Sequence, residues 1–240
     1  MNFGVSSMVL PLKKVALLRP GASLLEADIN KWHYSKIFNP DKVQGIYNNF
    51  VNLLTDEGVE IFWIEENTNI ADAIFTYDAS MMTKSGAILM SPGKELRKGE
   101  QNLHRNFYKH NNIPIIGEIT GNATAEAGDT LWLDNNSLIV GKGFRTNQEG
   151  VNQIEEIMKP LKVDVFQFDI PVYMGTEACL HLMSLISLVD HRKAFVYTPL
   201  LPVNLFKLLE EKGFTLINAP EDEFLSSDTL STNILTISPG

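Results

Sequence analysis

The chain has 240 residues, 44% hydrophobic and 20% charged, which are the proportions of an ordinary globular protein long enough for a substantial core. A net charge of -9 offers no basic stripe for phosphates, so nucleic acid is excluded as a partner, and no apolar run approaches membrane length. The single cysteine, Cys179, excludes a disulfide within the chain and a cysteine-rich metal site. Residues 1–12 lack a basic start followed by an apolar core, and a cytoplasmic protein is expected.

In chain order, residues 14–19 read as a short strand, ended by Pro20-Gly21. Residues 22–38 are poorly periodic and read as a long functional loop. Asn39-Pro40 opens a helix, with Asn as cap and Pro at the first helical position. Val43, Ile46, Tyr47, Phe50, Leu53 and Leu54 fall at helical spacing on one face, and Gly58 ends the helix. Residues 59–64 follow as a strand.

A pattern then recurs. Residues 72–81 read as strand and turn, 86–90 as a second strand, 97–110 as a helix and 113–119 as a third strand. The order repeats over 128–133, 137–141, 148–158 and 163–169, and again over 179–185, 194–197, 202–211 and 214–218. A further copy is expected to open with a strand at 231–237. The openings at Asp72, Gly128, Cys179 and Ser231 lie 56, 51 and 52 residues apart. Such a period signals repeated strand-strand-helix-strand units rather than a doubly wound sheet. No Gly-rich phosphate loop is present to argue otherwise.

The densest chemistry lies between Thr124 and Asn147. Glu126-Ala127-Gly128-Asp129 sets two acids beside a glycine, and Arg145-Thr146-Asn147 opens a helix. Acids beside glycine suggest a backbone brought close to a ligand. A β-hairpin with an acidic turn is the plain alternative.

Five motifs in order, Asp72-Ala-Ile-Phe-Thr-Tyr-Asp78, Arg97-Lys-Gly-Glu100, Glu126-Ala-Gly-Asp129, Arg145-Thr-Asn147 and Leu180-His-Leu-Met-Ser184, resemble the guanidine-modifying superfamily. That superfamily includes amidinotransferases, dimethylarginine dimethylaminohydrolases and arginine deiminases. The resemblance implies an α/β fold, a five-fold ββαβ propeller (a pentein-type fan), here one domain over residues 1–240 with the fifth unit incomplete. It implies attack on the carbon of a guanidinium, a planar cation and a poor electrophile that needs carboxylates to hold it and an acid for the leaving amine. His181 matches the general acid and base, and Glu126 the acid that orients it. Asp72, Phe75, Asp78, Arg97, Asp129 and Arg145 match substrate-binding positions. Asp72 and Asp78, six apart, would share a face if the segment were a regular strand.

The pattern breaks at the nucleophile. In the family it is a cysteine near the C-terminus, expected beyond Gly240 here. Cys179, two residues before His181 on what reads as one strand, would sit roughly 6–7 Å from it, too far for a thiol–imidazole hydrogen bond, and reads as a small core residue. Ala127 stands where the family usually has a second glycine, so its backbone should avoid positive φ. Met183 stands where arginine deiminases carry an aspartate. No cofactor and no metal are expected. The readings left open are an arginine-type guanidine hydrolase or amidinotransferase lacking its C-terminal piece, a non-catalytic protein that binds a guanidino compound, and an interaction protein on the same fold. An incomplete fan is also expected to homo-oligomerise, or to take the missing strand from a partner.

Overall fold

The computed structural model describes residues 3–65, 68–176, 180–227 and 229–240. The first strand, β1 (Lys14–Leu17), leads into two short helices, α1 (Ala22–Leu25) and α2 (Ile29–Trp32), within the segment expected to be a loop. Helix α3 (Pro40–Asp56) starts as its sequence dictates: Asn39 accepts from the Lys42 amide and Pro40 takes the first position. Gly58, at φ 75°, ends it. Strand β2 (Glu60–Trp63) returns parallel to β1. Asn39→Ala is expected to cost about 1 kcal/mol in a denaturant titration, the usual loss for an N-cap.

Three further sheets share one construction. β3 (Ser80–Met82) pairs antiparallel with β4 (Ala87–Leu89), helix α4 (Gln101–His110) crosses, and β5 (Ile115–Glu118) returns parallel to β4. β6 (Thr130–Asp134), β7 (Ser137–Lys142), α5 (Gln148–Met158) and β8 (Asp164–Asp169) repeat this, as do β9 (Ile186–Asp190), β10 (Lys193–Val196), α6 (Val203–Glu211) and β11 (Thr215–Asn218). A short helix, α7 (Glu221–Ser226), follows. The middle strands β4 and β7 are nearly all buried, as expected for strands covered on both faces, whereas β10 buries only Ala194 and Val196. The cores form between neighbouring units: Met81, Ile88 and Met90 of one pack with Leu138, Val140, Val151 and Ile154 of the next.

Four expectations are corrected. Asp72 lies on a 3-10 turn (Ala71–Ile74), not a strand, and β3 begins only at Ser80. His181 precedes another 3-10 turn (Leu182–Ser184), and β9 starts at Ile186; Cys179 lies outside the described residues. The apolar residues of α3 do not share one buried face: Leu54 is buried, whereas Ile46, Phe50 and Leu53 are exposed. A two-stranded sheet covers only one side of that helix. Finally, residues 231–237 form no strand. Hydroxyls take the place of a backbone ladder: Thr232 and Thr236 donate to the Ser184 and Leu188 carbonyls, and the Ile234 amide donates to Ser187 Oγ. The Leu12 amide donates to the Ile237 carbonyl, so this segment runs from beside β9 to the approach to β1.

Candidate active site

The site forms where short turns from three units converge. The segment before β6 is fixed to the preceding unit by an isolated bridge between Ala125 and Ser91, and by the Ala127 amide donating to the Asp78 carbonyl. That places the Glu126 carboxylate, fully buried, at the centre of the cluster. Its Oε1 accepts from the Gly93 and Lys94 amides at 3.0 and 3.2 Å. Arg145 Nη1 reaches both oxygens at 3.1 and 3.0 Å, and His181 Nε2 lies 2.8 Å from Oε2. Burial would raise the Glu126 carboxyl, but the His181 hydrogen bond and charge, with Arg145 and Arg97, outweigh it and hold the pKa at about 2.

A second ionic group adjoins the first. Arg97, 3% exposed, forks onto Glu100 with Nε and Nη2, both at 2.7 Å, and places Nη1 2.6 Å from Asp78 Oδ2. Its Nη2 also donates to the Phe75 carbonyl at 3.2 Å, which ties the turn carrying Asp72 and Phe75 to the site. Burial opposes charge on Arg97, yet Glu100, Asp78 and Glu126 together raise its pKa. Burial lifts Glu100 to about 7, with the Arg97 guanidinium pulling the other way. Asp72 accepts from Tyr34 Oη at 2.6 Å and Lys94 Nζ at 2.7 Å. Lys94 also stands 5.2 Å from the Trp32 ring, so the segment carrying α2 is fastened over this corner.

Asp129, 1% exposed, is spent on the scaffold. Its Oδ2 accepts from Thr146 Oγ1 at 2.7 Å and its Oδ1 from the Leu182 amide at 3.0 Å. Thr146 Oγ1 in turn accepts from the Glu126 amide. One carboxylate therefore sets the backbone of Glu126 against the residue after His181. Burial pushes Asp129 up to about 6 against the charge of His181 and these hydrogen bonds. Phe75 is 53% exposed.

Of the residues singled out in the sequence, Asp78, Arg97, Glu126, Arg145 and His181 form one contiguous network. Asp72 joins it through the Arg97-held turn, Asp129 underlies it, and Phe75 stands at its exposed edge. Asp78, Glu126 and His181 bring ligand atoms within 4.8 Å of one another. The guanidinium groups of Arg97 and Arg145 already lie on the same carboxylates and supply the positive charge a metal would bring. Sequence reasoning missed Tyr34, Lys94, Glu100 and Thr146. Glu100 and Thr146 lay inside quoted motifs, and the spacing of Arg97 to Glu100 was the available signal.

Gly128 shows how tightly these turns meet. Its amide donates to Asp78 Oδ1, and an added Cβ would stand 2.6 Å from that oxygen and 3.1 Å from the His181 ring. The close approach expected of this glycine is to the site's own side chains. Gly128→Ala is expected to cost about 1–3 kcal/mol, the range for overpacking. The His181 ring resonances should shift as well, which NMR on the variant would read.

The sheet construction and this network define a protein of the guanidine-modifying superfamily, with its mixed α/β pentein fold. The arginine deiminase family matches residues 67–204, more than half of the chain, and the chain belongs to that family. It is 26% identical over 188 residues to an uncharacterized protein of Caenorhabditis elegans, a match spanning 78% of this chain and 64% of that protein. It is 25% identical over 236 residues to the N(G),N(G)-dimethylarginine dimethylaminohydrolase of Pseudomonas aeruginosa, covering 95% of this chain and 84% of the relative. Among solved structures, a cysteine-to-serine mutant of the Pseudomonas aeruginosa dimethylarginine dimethylaminohydrolase, complexed with citrulline, superposes with a TM-score of 0.75 at 21% identity. That superposition covers 95% of this chain and 82% of the other. No helix among the described residues is long and apolar enough to cross a membrane.

Proposed function

We propose that the central site binds the guanidinium group of an arginine-type small molecule, and that this chain by itself holds the ligand without hydrolysing it. One observation carries the reading. Five buried carboxyl groups, Asp72, Asp78, Glu100, Glu126 and Asp129, surround a site that supplies four cationic side chains, Lys94, Arg97, Arg145 and the His181 imidazole paired with Glu126. The surplus negative charge calls for a further cation, and carboxylates with unused lone pairs favour a planar one with several N–H donors. The arginine-type ligand is supported by the citrulline held in the Pseudomonas aeruginosa mutant.

In this reading Asp72 and Asp78 hold the guanidinium, Phe75 walls its approach, and His181 with Glu126 forms the proton-transfer pair. Arg97 orients the two aspartates. Arg145, beside Glu126, faces the ligand's own carboxylate, and Asp129 sets the register of the site from beneath. Turnover by the family's route would need a thiolate to attack the guanidinium carbon while His181 protonates the departing amine. The one thiol in the 240 residues is Cys179. The Glu126–His181 pair, assembled at 2.8 Å, supports a second reading: turnover once a cysteine is supplied from outside these residues.

The test adds L-arginine and N-methylated arginines to the purified chain, following thermal stability and citrulline release together. The expected result is a raised midpoint without citrulline. Citrulline release that disappears in Cys179→Ser would contradict the non-hydrolytic reading.

A further inference from the structure

Helix α3 carries an apolar stripe that nothing among the described residues covers. Its inner face rests on the β1–β2 sheet through Leu54 and Val51, with Tyr47 Oη donating to the Leu18 carbonyl. On the outer face Ile46 is 61% exposed, Phe50 37% and Leu53 64%. At 100° per residue these three fall within about 60° of one another, so they form one ridge along the helix. The thirteen residues from Val43 to Thr55 carry no charge, in a protein with 20% charged residues and a net charge of -9. Depletion of charge around exposed aliphatic and aromatic side chains marks an interface core rather than a solvated helix.

The order of residues along the ridge names the occupant. Reading outward from the centre, Asn49 and Phe50 are flanked by Ile46 and Leu53, and these by Lys42 and Glu57. A second copy laid antiparallel across a two-fold axis between positions 49 and 50 sets Phe50 against Asn49, Ile46 against Leu53, and Lys42 against Glu57. The ridge is thus complementary to itself in one register, with opposite charges meeting at both ends. Lys42 and Glu57 are exposed, and neither forms an ion pair among the described residues. Self-complementarity of this kind is what an isologous contact requires.

We propose that α3 is a homodimerisation surface, pairing antiparallel with α3 of a second copy in the register Lys42–Glu57. The ridge is roughly 24 Å long at the helical rise per residue, and two such faces fall at the small end of specific interfaces. The dimer is therefore weak, with dissociation in the micromolar range. The candidate active site lies on other elements.

Sedimentation velocity of the full chain across the micromolar range tests this. The wild type should pass from monomer to dimer, and Phe50→Glu, which sets two carboxylates near the axis, should stay monomeric while remaining folded. Lys42→Glu and Glu57→Lys each turn two attractive end contacts per dimer into repulsive ones and should weaken association about tenfold. The double variant Lys42→Glu/Glu57→Lys should recover wild-type affinity within about twofold, because the pairs are exchanged across the axis. A wild type monomeric at every concentration would overturn the proposal and leave the ridge to a different protein. So would a dimer indifferent to Phe50→Glu, single charge variants without effect, or a double variant as weak as the singles.

Discussion

Arg97→Met is expected to destabilise the protein by about 3–5 kcal/mol, the usual loss when one partner of a buried charge group is removed. Methionine keeps the length of the side chain but leaves Glu100, wholly buried, and Asp78 facing each other without a cation. The Asp72 and Phe75 carbonyls lose a donor at the same time. Denaturant unfolding at neutral pH measures the loss. The same variant measured at pH 5 should recover part of it, because a carboxyl already pushed up by burial can then take a proton.

His104 supplies the second large effect. It is buried on α4 with Ser80 Oγ 2.8 Å from Nδ1, and Ser80 also contacts Tyr108 Oη at 2.6 Å. Burial, helped by the nearby charge of Arg97, lowers its pKa from 6.5 to about 4. A histidine depressed on folding contributes stability that is complete above pH 6.5 and lost as pH falls toward 4. The shift corresponds to about 3 kcal/mol at 1.36 kcal/mol per pH unit. Asp129 and Glu100, both raised, act in the opposite sense over part of this window, so total stability does not isolate the histidine. The difference between the wild type and His104→Gln does, and it should shrink by about 3 kcal/mol between neutral pH and pH 4. A difference constant with pH would show that His104 titrates normally.

The sequence was most legible where a residue type has a local reason for its place. Asn39, Pro40 and Gly58 mark both ends of α3, and the alternation of strand and helix periods yields the repeated order of strand, strand, helix and strand, with α5 and β10 placed to within a residue. It was least legible at the turns that carry the site. Asp72, Gly128 and His181 all sit on or beside 3-10 turns too short to leave a period, and each was read as part of a strand. Asp72 and Asp78 do not lie on one strand, yet the two acids reach the same network, because Arg97 joins the Asp78 side chain to the carbonyls of the Asp72 turn. Tyr34 and Lys94 could not have been found by local pattern, since they meet Asp72 from 38 and 22 residues away. The apolar residues of α3 read as one face, but spacing groups such residues without saying how much of the helix the neighbouring sheet can cover.

The most direct test of a site built around surplus carboxylates is calorimetric titration of the chain with L-arginine and, separately, with L-citrulline. The two ligands share a backbone and differ in whether the terminal group is a cation or a neutral urea. The account predicts that arginine binds at least tenfold tighter, a gap consistent with charge-assisted hydrogen bonds to Asp72 and Asp78, and that Asp78→Asn erases most of it. Equal affinity for the two ligands, or no binding of either, would contradict it.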